Sequence, residues 1–197
     1  MLGRLRGTVA EVDAEQRTLL LEVRDVGYEL HVSERLCSAS DVGREHVLFV
    51  HADIKEDAHT LYGFRNKSER ELFRTLLGVG GVGARSASAL LSRFTEAELV
   101  GHIVEEDVKS LASVRGIGPK TARVIVATLK DRVDALAAAV QRDDAGVDTI
   151  VRQATDVLVQ LGLRRGEAAS IAKRAWTDGM ELEELVTEIL RISTSNR

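Results

Sequence analysis

The sequence predicts a multidomain chain with separate β and α parts: a small N-terminal barrel of short strands, a central all-α unit, a flexible linker and a C-terminal bundle of three helices. Three observations carry this. Residues 1–64 alternate polar and apolar positions in five short runs, the period of half-buried strands. Residues 65–132 switch to helical periodicity and contain one stretch written twice; a fixed-period repeat marks a duplicated supersecondary unit. Residues 133–148 turn to Ala, charge and Gly before helical patterns resume.

The first run is Arg4–Val12 and the second Thr18–Val23. Asp25-Val26-Gly27 reads as a turn into a third strand, Tyr28–Val32. A fourth covers His46–Ile54 and a fifth Thr60–Phe64. Five strands in so short a span suit an OB-fold barrel. Between the last two strands stands Lys55-Glu56-Asp57-Ala58-His59. On pattern alone, the carboxylates Glu56 and Asp57 read as a solvated turn. His31, His46, His51 and His59 have no metal-ligand spacing.

The next helix is expected over Ser68–Leu77, with Ser68 as its cap and Glu71 at the capping-box position. The repeated stretch follows. Shifting the chain by 35 positions lays Leu76 on Leu111, Val79 on Val114, Gly81 on Gly116, Val82 on Ile117, Gly83 on Gly118, Arg85 on Lys120 and Ala87 on Ala122. Each copy reads helix, tight hairpin, helix. The Gly-apolar-Gly triplet permits positive φ and close approach to another surface. The backbone N–H groups that open the second helix form an anion site, aided by the helix dipole. The candidate contacts are Gly81, Gly83, Arg85 and Ser86 in one copy, and Gly116, Gly118, Lys120, Thr121 and Arg123 in the other. Two such sites suggest two phosphates on one nucleic-acid backbone, bound without regard to base.

Two other readings compete. Ordinary Gly-containing helix-helix turns are one, weakened by the repetition with a cation at the same offset. Gly78-x-Gly80-x-x-Gly83 matches a dinucleotide fingerprint, but that fingerprint follows a strand, and here a helical pattern precedes it. Between the copies, Thr95-Glu96-Ala97-Glu98 starts a connecting helix, and Glu105-Glu106-Asp107 starts the one entering the second hairpin. The helix leaving that hairpin, 121–132, carries an apolar stripe at Ala122, Ile125, Val126 and Leu129.

The tail, 149–197, holds three helical patterns: Thr149–Leu161 stopping at Gly162, Gly166–Thr177 stopping near Gly179, and Leu182–Ile192. Both glycines sit where C′ residues belong. This module reads as a protein-binding appendage.

Charge separates the parts. Residues 1–64 hold 7 Lys+Arg against 12 Asp+Glu, a net of −5; residues 65–132 hold 12 against 8, a net of +4; residues 133–197 hold 8 against 11, a net of −3. The positive segment is the one with the hairpins. Aromatics at 4% disfavour stacking on unpaired bases. A single Cys37 excludes an internal disulfide. No signal-peptide pattern occurs, and no apolar run nears the ~18 residues of a membrane span. A cytoplasmic protein without a cofactor or metal is expected.

Several segments in this order resemble the RuvA family of Holliday-junction-binding subunits: Met1-Leu2-Gly3-Arg4-Leu5-Arg6-Gly7, Lys55–Ala58 with Leu61-Tyr62-Gly63-Phe64, the paired hairpins, and Leu161-Gly162-Leu163 with Glu167-Ala168. The resemblance implies a homotetramer, or two tetramers as an octamer, on an open, flat four-way DNA junction. It implies that each subunit's hairpins grip one duplex arm, and that Glu56 and Asp57 form an acidic pin at the crossover, repelling phosphates. It implies that the tail contacts the hexameric RuvB motor, with Leu161, Leu163 and Ala168 as contact candidates, and it extends the partner set to the RuvC resolvase. The family role is in DNA recombination and repair. Three departures stand out: Ala84-Arg85 where the family often has Pro-Lys, Gly80 where a polar side chain is common, and Leu163 in place of an aromatic.

An enzyme would need more. A glycosylase needs a catalytic Asp or Lys in a pocket, for which Asp131 is the nearby candidate. A nuclease needs clustered carboxylates, and none stands outside Glu56-Asp57. No G-x-x-x-x-G-K-[ST] is present for ATP hydrolysis. The remaining alternative is a generic duplex-binding module of another repair assembly, with no preference for junctions.

Overall fold

A computed structural model describes residues 2–56, 58–130, 150–161, 163–176 and 182–194. The expected linker, Gly162, Gly179 and Asp57 lie outside the described residues. The chain divides into two compact units, Met1–Gln141 and Arg142–Arg197.

In the first unit, β1 (Arg4–Asp13), β2 (Thr18–Val23), β3 (Val26–His31), β4 (Glu45–Ile54) and β5 (His59–Phe64) close a barrel in the order β1-β2-β3-β5-β4. Every pairing is antiparallel except β3 with β5. Inward positions of the alternating strands make the core: Leu5, Val9, Leu19, Leu21, Leu30, Leu48 and Val50 are buried. The five-stranded barrel expected from the alternation is therefore present.

Two local expectations are corrected. The turn before β3 is Arg24-Asp25, not Asp25-Val26-Gly27. Both residues have positive φ (49° and 64°) and Val23 pairs with Val26. This is the two-residue hairpin loop whose twist matches its strands, so Val26 and Gly27 belong to β3. The structure also adds α1 (Glu34–Ala39), capped by Ser33, whose hydroxyl accepts the Leu36 N–H. The sequence pattern places no element there.

Five helices follow: α2 (Lys67–Leu77), α3 (Ala84–Arg93), α4 (Glu96–Val104), α5 (Val108–Ala112) and α6 (Pro119–Leu129). The cap of α2 is Asn66 rather than Ser68. The Asn66 side chain accepts the Glu69 N–H at 2.6 Å, and the Glu69 carboxylate accepts the Arg65 N–H at 3.0 Å. Ser68 is buried and stands too far into the helix to cap it. Burial pushes the Glu69 carboxyl pKa up, against that backbone hydrogen bond. Helix α4 opens on Thr95 with a complete capping box to Glu98, as its sequence suggests. Asp107 alone caps α5, its carboxylate accepting the Ser110 N–H at 3.0 Å.

Barrel and helices share a core. Phe73 of α2 is fully buried against Tyr62 and Phe64 of β5, with ring centroids 5.1 and 4.8 Å away. One side chain thus fixes the helical part to the strand that follows the 55–58 loop.

The second unit contains a helix over 150–160 (α7), α8 (Arg165–Ala175) and α9 (Leu182–Thr194). Its core is Ala154, Leu158, Ala168, Ala172, Ala175, Leu185 and Ile189. The alanines let the helix axes approach closely. Among the described residues, no helix is long and apolar enough to cross a membrane.

Candidate nucleic-acid interface

The two hairpins are the same object built twice. In the first, α2 ends at Gly78, Gly81 takes φ +83°, and Gly83 caps α3. In the second, α5 ends at Ser113, Gly116 takes φ +89°, and Gly118 caps α6. Their hydrogen bonds correspond across the 35-residue shift. Val79 N–H donates to Leu76 O and Val82 N–H to Val79 O, both at 3.0 Å; Val114 N–H donates to Leu111 O at 3.3 Å and Ile117 N–H to Val114 O at 3.0 Å. Val79, Val82, Val114 and Ile117 are buried in the shared core. These apolar pegs fix each loop from inside, so the glycines on either side of the second peg stay exposed.

Neither α3 nor α6 has a side-chain cap. The first-turn N–H groups of α3, at Ala84, Arg85 and Ser86, therefore remain open donors. In α6 the first residue is Pro119, which has no N–H but presets φ for the helix; Lys120 and Thr121 supply the donors. Arg85 and Lys120 occupy the second helical position of their copies, and both are exposed. Arg123 is exposed one turn beyond Lys120, on the same side of α6. Two helix N-termini, each with a cation beside open donors, suit two anions.

The hairpins also brace each other. The Ser86 hydroxyl donates to Gly116 O at 3.3 Å. Thr121, the counterpart of Ser86, stands over Gly81: a Cβ built on Gly81 would lie 3.9 Å from Thr121 Oγ1. Each third helical residue thus faces the positive-φ glycine of the other copy. Ser86, a candidate phosphate contact, uses its hydroxyl proton to hold the spacing of the two anion sites. Its backbone N–H stays available.

Arg115 is absent from the contacts that the sequence suggests. It is exposed at the second hairpin, next to Gly116. The same 35-residue shift lays it on Gly80, so the signal was the unequal pair Gly80/Arg115: one hairpin has a cation where the other has none.

At the other end of β5, Lys55 N–H donates to Ala58 O at 2.8 Å and closes the loop between β4 and β5. Glu56 is exposed there, and Asp57 lies outside the described residues. Lys55 pairs with Asp53 at 3.1 Å, which draws the lysine charge toward the strand. Burial, then Asp53, push the Tyr62 hydroxyl pKa up, against Lys55 and Arg85.

In the second unit the three tail candidates part company. Leu161 is 57% exposed, Leu163 packs partly against the module's core, and Ala168 is fully buried in it. Ala168 supplies packing, and of the three Leu161 is the side chain left exposed. Among the described residues, no group of three or more His, Cys, Asp or Glu could hold a metal ion.

Comparison with known proteins places these parts. Residues 1–63 match the family model of the RuvA N terminal domain, and residues 73–131 match that of the SAM-like helix-hairpin-helix tandem. Among curated relatives, the Holliday junction branch migration complex subunit RuvA of Photorhabdus laumondii is 37% identical over 204 residues, spanning 97% of this chain and 98% of the relative. The proteins of that name from Halorhodospira halophila and Yersinia pseudotuberculosis are 37% and 34% identical, each over 97% of this chain. With its barrel, its tandem hairpins and near-complete coverage by these relatives, the chain belongs to the RuvA family.

Proposed function

We propose that this chain is the non-catalytic, junction-binding subunit of a Holliday junction branch migration complex, serving DNA recombination and repair in the cytoplasm. It binds four-way junctions through the phosphate backbone, holds them open and recruits a RuvB motor whose ATP hydrolysis drives migration. The observation that carries this is the duplicated hairpin: two uncapped helix N-termini, each with a cation at its second position, joined by the Ser86 hydroxyl donating to Gly116 O. Such sites read phosphates and not bases.

Family membership supports the remaining parts of the reading. Four copies surround the crossover as a homotetramer, with an octamer as its doubled form. Glu56 and Asp57 repel converging phosphates and favour strand separation. The C-terminal module, through surface that includes Leu161, docks the motor; RuvC is a further partner of the assembled junction.

The test is sequence independence. Arg85→Ala and Lys120→Ala should each weaken binding to two immobile junctions of unrelated sequence by the same factor. A loss confined to one sequence would overturn the backbone reading.

A further inference from the structure

A cleft of about 820 Å³ runs between the barrel and the hairpins within the first unit. Four arginines from distant parts of the chain line it: Arg17 from the β1–β2 turn, Arg85 and Arg93 from the two ends of α3, and Arg115 from the second hairpin. Glu34 is the one carboxylate among its lining residues. Several other arginines of the unit are engaged: Arg35 donates to Leu91 O and Phe94 O, and Arg70 and Arg74 both pair with Glu71. None of the four cleft arginines has an ion-pair partner among the described residues. Four guanidinium groups against one carboxylate around one opening repel each other, and an anion entering the cleft relieves that repulsion.

The cleft is continuous with the hairpins, since Arg85, Ser86, Arg115 and Gly116 belong to both. Its far wall is barrel: Arg17, held with φ +55° while its C=O accepts the Val32 N–H at 2.9 Å, and Thr60 and Tyr62 of β5. A strand leaving the hairpin phosphate sites toward the 55–58 loop would pass along it.

We infer that this cleft is a third backbone contact: Arg17 and Arg93 bind the phosphates that follow those held by the hairpins on the same DNA arm. The proposal rests on the hairpin reading. It assigns the barrel a direct share of DNA binding and makes Arg17, a turn residue of an otherwise acidic segment, a DNA ligand. Arginine suits the task because its planar fork meets phosphate oxygens bidentately.

The test uses the full chain, an immobile four-way junction, and affinity measured over a range of salt. Removing one cation that neutralises a phosphate should reduce the slope of log affinity against log salt by about 0.9. R17A/R93A should therefore lower the slope by about 1.8 for each subunit bound to the junction, while R17K/R93K, which keeps the charge, should leave it close to the parent value. Lys120→Ala serves as the internal reference. A lowered slope for Lys120→Ala with an unchanged slope for R17A/R93A would overturn the cleft contact and leave the hairpin reading standing. An unchanged slope for all three would overturn the hairpin reading and the cleft proposal with it. An equal drop in slope for R17K/R93K and R17A/R93A would also refute the proposal, because charge would then not be what the cleft supplies.

Discussion

Replacing Gly116 by alanine tests how the hairpins are held. Gly116 has φ +89°, and a Cβ there would sit 3.3 Å from Ser86 Oγ. The left-handed backbone alone costs an L-residue about 1–2 kcal/mol. The added methyl also crowds the hydroxyl that donates to Gly116 O, a bond worth about 0.5–1.5 kcal/mol. Gly81, at φ +83°, has nothing nearer than Thr121 Oγ1 at 3.9 Å, so Gly81→Ala incurs only the backbone cost. Gly116→Ala should therefore destabilise the first unit by about 2–3 kcal/mol and Gly81→Ala by about 1–2 kcal/mol. In a Ser86→Ala background the two costs should converge, because the crowded group is gone. Calorimetry of the full chain reads the first unit's transition. The single tryptophan, Trp176, lies in the other unit, so its fluorescence transition should stay in place. A Gly116→Ala effect below about 0.5 kcal/mol, or equal costs at both glycines with Ser86 present, would refute the bracing argument.

Other perturbations read other joints. Phe73→Ala removes the ring that packs on Tyr62 and Phe64 and should cost about 3–5 kcal/mol; a loss under about 1 kcal/mol in urea unfolding would mean the barrel and helices do not depend on it. Burial and then Arg44 lower the pKa of His46, and burial and then Arg74 lower that of His51. Bases with depressed folded pKa values give stability that is complete above the ordinary histidine value of 6.5 and fades as pH falls through it, since the unfolded chain then binds more protons. Unfolding midpoints should thus drop on acidification below that pH, and His51→Gln should make the drop shallower; an unaltered pH profile in the variant would contradict this. Glu56→Gln with Asp57→Asn should keep or raise junction affinity while altering strand opening at the crossover, measured by 2-aminopurine fluorescence; weaker binding would count against charge repulsion.

The barrel and the hairpins were legible for a simple reason: both are written in local periodicity. Strand alternation put Leu5, Val9, Leu19 and Leu21 inside, and the shift of 35 aligned the buried pegs Val82 and Ile117. What escaped depends on contacts remote in sequence. Ser86 and Gly116 meet across 30 residues, and no pattern in either copy announces the bond. Arg17 joins a cleft with residues about a hundred positions later. Short elements escaped too. Helix α1 has six residues, less than two turns, too few to show a period. The cap of α2 was misplaced because Ser68 and Asn66 are both good caps, and only the Glu69 carboxylate reaching back to Arg65 decides between them. Ala168 reads as surface or core equally well by type; its burial is fixed by α7 and α9, not by its neighbours in sequence.

The most direct test is a competition for the full chain between an immobile four-way junction and a linear duplex of the same length and base composition, at low and moderate salt, with the mass in solution measured alongside. Strong preference for the junction at both salts, together with a tetrameric mass, is the predicted result. Equal affinity for the two DNAs, or a monomer throughout, would contradict it: the hairpins would then be a general clamp on duplex backbone, and the junction would have no part in what they hold.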